Sequence, residues 1–345
     1  MDIQKVLSEA AGILGPSGQE MQIAAYFAEK FRPFVDEVTV NDMHCVIAHK
    51  KGTGPKVMLC AHMDEISLMV IAIEDDGCLR LGNVGGVDPR ILPASRVWVH
   101  GKEKLFGTIG ALPPHLLTPE DRKKNYDRKD LYVDVGLPAD KVRELVHVGD
   151  LVTFNTPFTE LLNGQVASKT MDDRACVTML LLAAERLTKM HCDADVYFVG
   201  STQEEVGSRG AETAAFAIDP DLAVALDVDH ATIPGSRPDT TVDGDSLCAT
   251  IGPYIQPKLL QRLLDCAKEH HVKLQTAVSP RSTATDADEV GVSRTGIPTV
   301  LLSLPLKYMH TSVETIDLQA LTEGGRLIAH FLSELDAGWE EDLWI

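Results

Sequence analysis

Residues 200–210 read Gly-Ser-Thr-Gln-Glu-Glu-Val-Gly-Ser-Arg-Gly. The apolar run Val196-Tyr197-Phe198-Val199 comes just before them, and its length and β-branched content predict a buried strand. Glu204 and Glu205 then stand at the strand's C-terminal end, the edge where open α/β sheets bind ligands. Neighbouring side chains at a strand end point in different directions. One carboxylate can therefore hold a metal while the other handles a proton. Taken alone, the pair would be an acidic turn in water.

Four other places repeat the pattern. His62 and Asp64 follow the apolar run Val57–Ala61. Asp172 and Asp173 precede a helical stretch that starts near Arg174. Asp227 and Asp229 end a strand begun at Leu222. His310 follows a strand begun at Pro298. Each has a plainer explanation by itself: a satisfied core histidine, a helix N-cap, a turn cap, a loop histidine. In α/β topology, however, all five positions gather on one edge of the sheet. Two imidazoles and several carboxylates without a thiolate suit Zn²⁺, Co²⁺ or Mn²⁺. A carboxylate can also bridge two ions about 3.5–4 Å apart.

The elements that would position these residues fall into two textures. Helices are expected near Ile3–Ala10 and Met21–Phe31, then strands at Glu37–Val40, Val46–His49 and Val57–Ala61. From about Leu68 to Phe158 the chain has short β-like runs between turns: Met69–Ile73, Arg96–His100, Leu105–Ile109, Leu131–Val135 and Leu151–Phe154. That spacing predicts a small barrel or sandwich. Residues 119–129 form a charged loop. After Lys169, helices and strands alternate: helices at Arg174–Lys189, Gly210–Ala217, Leu259–His270 and Leu318–Leu335, strands at Val196–Val199, Leu222–Leu226 and Pro298–Leu304. Alternation of this kind predicts an α/β fold, a mixed central sheet covered by helices on both faces. The expected organisation is an α/β domain formed by residues 1–67 and 159–345, carrying an inserted β-barrel-like domain at 68–158.

Composition narrows the function classes. The chain has 345 residues, 44% of them hydrophobic, enough for a large core. Its net charge of −19 disfavours nucleic acid as a partner. No apolar run reaches the roughly 18 residues of a membrane span, and the N-terminus lacks the features of a signal peptide. Seven scattered cysteines, none in a CxxC pair, read as reduced core residues of a cytoplasmic protein.

The ordered set of motifs resembles the M42 metallo-aminopeptidases, the glutamyl and tetrahedral aminopeptidase group. The resemblance rests on Ala61-His62-Met63-Asp64-Glu65, Gly107-Thr108-Ile109-Gly110, Pro113-Pro114-His115 and Lys169-Thr170-Met171-Asp172-Asp173-Arg174. It continues in Gln203-Glu204-Glu205-Val206-Gly207, Ala225-Leu226-Asp227-Val228, Thr285-Asp286-Ala287 and Tyr308-Met309-His310. It implies two divalent ions per subunit, short peptides as substrates and a homo-oligomer, from dimer to tetrahedral dodecamer, built through the inserted domain. It also implies roles. Asp172 would bridge the ions, Glu205 and His310 would complete one site, and His62 and Asp227 the other. Glu204 would be the general base toward a metal-bridged water, and Asp64 would orient His62. Asp173 would help hold Asp172, in this family often through a cis peptide. Three positions depart from the family pattern: Ser67 and His44-Cys45 replace glycine-containing positions, and Arg281-Ser282-Thr283-Ala284 replaces a Gly-Gly approach. They bear on pocket shape, since every implied metal ligand is present.

Two other readings compete. Paired carboxylates would also serve a glycoside hydrolase, but aromatics make up only 5% of the chain. Trp98, Trp339 and Trp344 all lie far in sequence from the implied ligands. A non-catalytic peptide-binding scaffold would be expected to have lost a ligand or the base.

Overall fold

The computed structural model describes residues 1–336 and 338–340. The chain opens with α1 (Ile3–Ala11) and α2 (Met21–Phe31), followed by β1 (Glu37–Val40), β2 (Val46–Lys50) and β3 (Lys56–His62). Six strands come next: β4 (Ser67–Ile73), β5 (Leu79–Val84), β6 (Arg96–His100), β7 (Lys104–Ala111), β8 (Leu131–Asp134) and, after the short helix α3 (Ala139–Leu145), β9 (Leu151–Phe154). They close into a barrel in the order β4-β5-β8-β7-β6-β9. Closure removes exposed strand edges. The barrel interior is filled by Leu68, Val70, Leu79, Leu81, Val97, Val99, Ile109, Leu131, Val133 and Val152, a cluster separate from the main core.

The chain then makes β10 (Thr159–Glu160), β11 (Gln165–Ser168), α4 (Met171–Leu187), β12 (Asp195–Ser201), α5 (Arg209–Ile218) and β13 (Leu222–His230). After these come β14 (Leu247–Ile251), α6 (Pro257–Glu269), β15 (Leu274–Val278), α7 (Asp286–Val292), β16 (Thr299–Leu306), β17 (Glu314–Asp317) and α8 (Leu318–Ser333). Eight strands form the central sheet in the order β1-β2-β12-β3-β13-β16-β14-β15. The four middle strands, β12, β3, β13 and β16, are mutually parallel. Antiparallel β2 and β14 flank them, so the sheet is mixed. β10, β11 and β17 make a small separate sheet.

Every residue of β13 from Leu222 to Val228 is buried, so both faces of that strand are covered. α4 packs on β3 and β13 and meets α1 and α8, while α5 packs with α7 against β12, β13 and β16. The expected α/β class is thus observed. Element boundaries differ in places. The strand expected at Leu222–Leu226 runs on to His230, because Asp227 and Asp229 continue the extended ladder against β16. Residues 119–129 contain two 3₁₀ turns, Asp121–Lys123 and Arg128–Asp130, the second closed by a capping box from Asp127.

A buried ionic group ties the elements behind the sheet edge. Arg174 is fully buried and donates to the carbonyls of Met63, Ala10 and Ile13 and to the Glu65 carboxylate. Lys169 also pairs with Glu65. Burying an unpaired guanidinium would cost several kcal/mol, and here its donors are answered by fixed acceptors. The group thereby locks the start of α4 to the β3–β4 connection, the two segments that carry Asp172 and His62.

Candidate active site

Parallel pairing brings the C-terminal ends of β12, β3, β13 and β16 to one edge. Ser201 is in register with His62, and Asp227 with Ser303. His62 ends β3, Glu204 and Glu205 follow β12, Asp227 lies near the end of β13, and His310 follows β16. Asp172 stands at the start of α4, where Asp172 and Asp173 take non-helical backbone angles and the peptide between them is cis. Several site loops hold non-glycine residues at positive φ: Thr170, Gln203, Ser208, Ala284, Tyr308 and His310. Such conformations cost about 1–3 kcal/mol each and cluster at functional sites.

The five residues expected to hold metal meet around Asp172. Its Oδ1 lies 3.0 Å from His62 Nε2, and its Oδ2 lies 3.3 Å from His310 Nε2. His310 Nε2 is also 3.2 Å from Glu205 Oε1. Potential donor atoms of His62, Asp172 and Glu205 lie within 4.8 Å of one another, as do those of His62, Asp173 and Asp227. Asp173 therefore sits beside His62 and Asp227 as a donor in its own right, beyond its expected part in holding Asp172. Both its carboxylate oxygens are buried without a hydrogen-bond partner. Glu204 comes within 4.0 Å of His62 Nε2 and receives a long contact, 3.5 Å, from the Ser208 hydroxyl.

Asp64 touches both His62 and the turn that follows β12. The His62 Nδ1 contact at 3.2 Å is to the Asp64 backbone carbonyl, with the carboxylate at 3.5 Å. The carboxylate chiefly accepts from Ser17 Oγ at 2.6 Å and from the Glu204 and Glu205 amides at 3.1 and 3.3 Å. It thus fixes the turn that presents both glutamates. Glu20 supports the same turn by accepting from the Gln203 amide. Glu314 accepts from the amides of both Asp172 and His310. Ser17, Glu20 and Glu314 were not foreseen. Only the four-residue spacing from His310 could have flagged Glu314.

Electrostatics at this edge are unbalanced. Burial pushes the Glu204 carboxyl up to about 8, against the pull of His62 and with help from the charges of Asp286 and Glu205. Burial also raises Asp227 and Asp173 well above the usual carboxylate range, and the charge of Asp173 adds to the rise at Asp227. Burial alone would lower His310, but its hydrogen bonds to Asp172 and Glu205 raise it to about 11. Burial opposes ionisation of Asp172 too, yet the same His310 contact and His62 hold it below its ordinary value. The cleft has a volume of about 580 Å³. Seven acidic residues line it: Asp172, Glu204, Glu205, Asp227, Asp229, Asp288 and Glu289, with no lysine or arginine among the described residues. Orphaned carboxylate oxygens and an N/O donor set in which seven acids face His62 and His310 fit divalent cations.

The barrel also reaches the site. The Gly86 carbonyl lies 3.0 Å from His310 Nδ1 and so fixes which ring nitrogen faces Asp172. A Cβ at Gly86 would sit 2.8 Å from His310 Nδ1. Gly86→Ala is therefore expected to displace the imidazole and weaken metal binding by ~10–100-fold, the usual cost of disturbing a ligand's supporting contact. Metal titration followed by protein fluorescence measures it; unchanged affinity would refute this role for Gly86.

The three departures from the family pattern have identifiable settings. Ser282 and Thr283 hydroxyls donate to Asp288, closing the loop that lines the cleft. Cys45 Sγ lies 3.3 Å from Thr202 Oγ1 behind β12. Ser67 is fully buried and its hydroxyl has no partner. No aromatic ring lines the cleft among the described residues. Trp98 lies on the barrel edge-on to Phe106, Trp339 is buried near α6, and Trp344 lies outside the described residues. No sugar-stacking platform is present in this cleft. No helix among the described residues is long and apolar enough to cross a membrane.

The profile of the family described as M42 glutamyl aminopeptidase matches residues 44–327. A lysyl aminopeptidase of Pyrococcus furiosus is 36% identical over 339 residues, covering 97% of each chain. Among solved structures, an aminopeptidase from the archaeon Desulfurococcus kamchatkensis superposes with a TM-score of 0.93 at 31% identity, over 99% of this chain and 98% of that one. The TET1 peptidase of Pyrococcus horikoshii, which can assemble into a tetrahedron or a large octahedral shell, gives 0.85 at 30% identity, over 97% and 100%. The chain belongs to the M42 aminopeptidase family and is a metal-dependent hydrolase of peptide bonds.

Proposed function

We propose that this enzyme removes the N-terminal residue of short peptides with two divalent ions, Zn²⁺ or Co²⁺ in the first instance and Mn²⁺ as a third candidate. The observation that carries the reading is the division of the Asp172 carboxylate, one oxygen toward His62 and the other toward His310. His62 and Asp227, with Asp173 beside them, would hold one ion; Glu205 and His310 would hold the other. When bound, the ions would supply Lewis-acid polarisation and more acidic water. Glu204 takes the proton from the attacking water at a carboxylate oxygen and returns it to the leaving amine. Asp64 keeps the Glu204 backbone in place through the Glu204 amide. The peptide's free ammonium is favoured by the acidic cleft, which supports action at the N-terminus rather than within the chain.

Chelator treatment is expected to abolish turnover of aminoacyl p-nitroanilides, and re-addition of Zn²⁺ or Co²⁺ to restore it with two ions per subunit. The same assay tests side-chain preference. Asp229 and Glu289 line the cleft, to which the described residues bring no lysine or arginine. A lysyl substrate should therefore exceed a glutamyl one in kcat/KM by ~10-fold or more, since like charges cost 1.4 kcal/mol or more at close range. The name of the Pyrococcus furiosus relative points the same way. A protein that stays active without metal defeats the first proposal, and a preference for glutamyl substrates defeats the second.

The barrel segment, residues 68–158, is proposed as the domain through which subunits associate, and the remainder as the catalytic domain. Ile71, Phe106, Leu112 and Leu116 are exposed apolar residues within it. Replacing 68–158 by a short linker should yield a monomer by light scattering. The product should also be inactive, because Gly86 goes with the segment. A deletion protein that remains oligomeric would sink the idea.

A further inference from the structure

α6 is an amphipathic helix whose buried stripe runs Leu259, Leu263, Cys266 and Ala267. One turn beyond Cys266 the helix ends at His270, its C-cap residue. α8 packs against α6 and ends in the same way, with Glu334 as its C-cap, one turn after His330. Two pairs at helical i,i+4 spacing therefore meet where the helices end, Cys266 with His270 and His330 with Glu334.

The side chains converge there. A thiol sulfur, an imidazole nitrogen and a carboxylate oxygen from Cys266, His270 and Glu334 all lie within 4.8 Å of one another. His270 Nε2 is 2.5 Å from Glu334 Oε1. The His330 ring stacks on His270, with centroids 3.6 Å apart and planes 15° from parallel. None of these residues lines the catalytic cleft.

We propose that Cys266, His270 and Glu334 form a second metal site, for a thiophilic divalent cation of the Zn²⁺ class, which ties the end of α6 to the end of α8. Sulfur, nitrogen and oxygen donors together make a zinc-type set, and water supplies the fourth position. The convergence of two helix C-termini favours a cation, since each carries partial negative charge on its last carbonyls. Arg326 lies close by, but its guanidinium is engaged by Glu323 and by the His270 carbonyl. A His–Glu ion pair at the surface would need no thiol beneath it, and is worth only about 0–1 kcal/mol. Side-chain exposures of 24% for His270 and 41% for Glu334 leave the ion a path from solvent.

The site differs from the catalytic one in a way that can be read directly, because the catalytic donors include no sulfur. The full-length protein is stripped with chelator and titrated with Co²⁺ alone. A thiolate-to-Co²⁺ charge-transfer band in the near ultraviolet is expected in the wild type and in Asp172→Ala. It should vanish in Cys266→Ser, and His270→Ala should shift its titration midpoint by ~10-fold or more. Peptidase turnover of Cys266→Ser should match the wild type, so the test does not depend on the catalytic assignment. The proposal is overturned by absence of the band at Co²⁺ levels that restore peptidase activity. It is equally overturned by a band that survives Cys266→Ser, or by a midpoint unmoved in His270→Ala.

Discussion

Glu204→Gln is expected to cut kcat by ~10²–10⁴-fold, the usual contribution of a general acid–base group, while KM and metal content stay near the wild type. The substitution keeps the side chain's size and leaves the Glu204 amide bonded to Asp64, so the turn should not move. What it removes is a proton acceptor 4.0 Å from His62 Nε2. Loss in kcat without loss of metal separates a proton carrier from a ligand. Its neighbour provides the control: Glu205→Gln alters a carboxylate 3.2 Å from His310 Nε2 and should lower metal content as well. Steady-state kinetics with elemental analysis decides it. Glu204→Gln protein with near-normal turnover would remove Glu204 from the mechanism.

Asp172→Ala should have the largest effect on metal content, with loss of at least one of two ions and of measurable turnover. Each Asp172 oxygen faces a different histidine, so this one side chain touches both halves of the site. The loss should exceed that in His310→Ala. Stability offers an independent reading. In the stripped protein Asp172 pairs with His62 and His310, which hold its carboxyl below the ordinary value, so Asp172→Ala should also lower the melting temperature of the stripped protein at neutral pH. Adding metal should then stabilise wild type far more, by about 2.7 kcal/mol at a hundred times Kd for one site. Differential scanning fluorimetry with and without metal reads this, alongside metal per subunit. Two ions still tightly bound to Asp172→Ala would mean that the site is not built around that carboxylate.

Much of the scaffold was legible because its signals are local. β3, β12 and β16 are continuous apolar runs, as expected of parallel strands covered on both faces. α4 and α8 are long enough for helical periodicity to emerge. The overlooked elements are short, polar or at an edge. β11 and β17 have four residues each, and β15 is a half-exposed edge strand. β5 reads Leu-Arg-Leu-Gly-Asn-Val, where a glycine interrupts the alternation. α7 reads Asp-Ala-Asp-Glu-Val-Gly-Val, is capped by Thr285 and buries only Ala287 and Val290 as apolar side chains, too few for a helical period to show. Five of the barrel's six strands and a barrel-like insertion could be anticipated, but not the strand order, which depends on pairing such as that between β4 and β9 about 80 residues apart.

The sequence by itself determined which chemistry-bearing residues stand at strand ends, and parallel α/β topology carries such ends to one edge. That is why His62, Asp172, Glu204, Glu205, Asp227 and His310 could be named together. Their supporting contacts were decided only by tertiary structure. Ser17 meets Asp64 across 47 residues, Glu314 meets the Asp172 amide across 142, and Gly86 meets His310 across 224. The same holds for Asp173 beside His62 and Asp227, and for Cys266 beside Glu334. Side-chain periodicity reports which face of an element is buried. It carries no information about which distant segment arrives on that face, because that is settled by the packing of whole elements against one another.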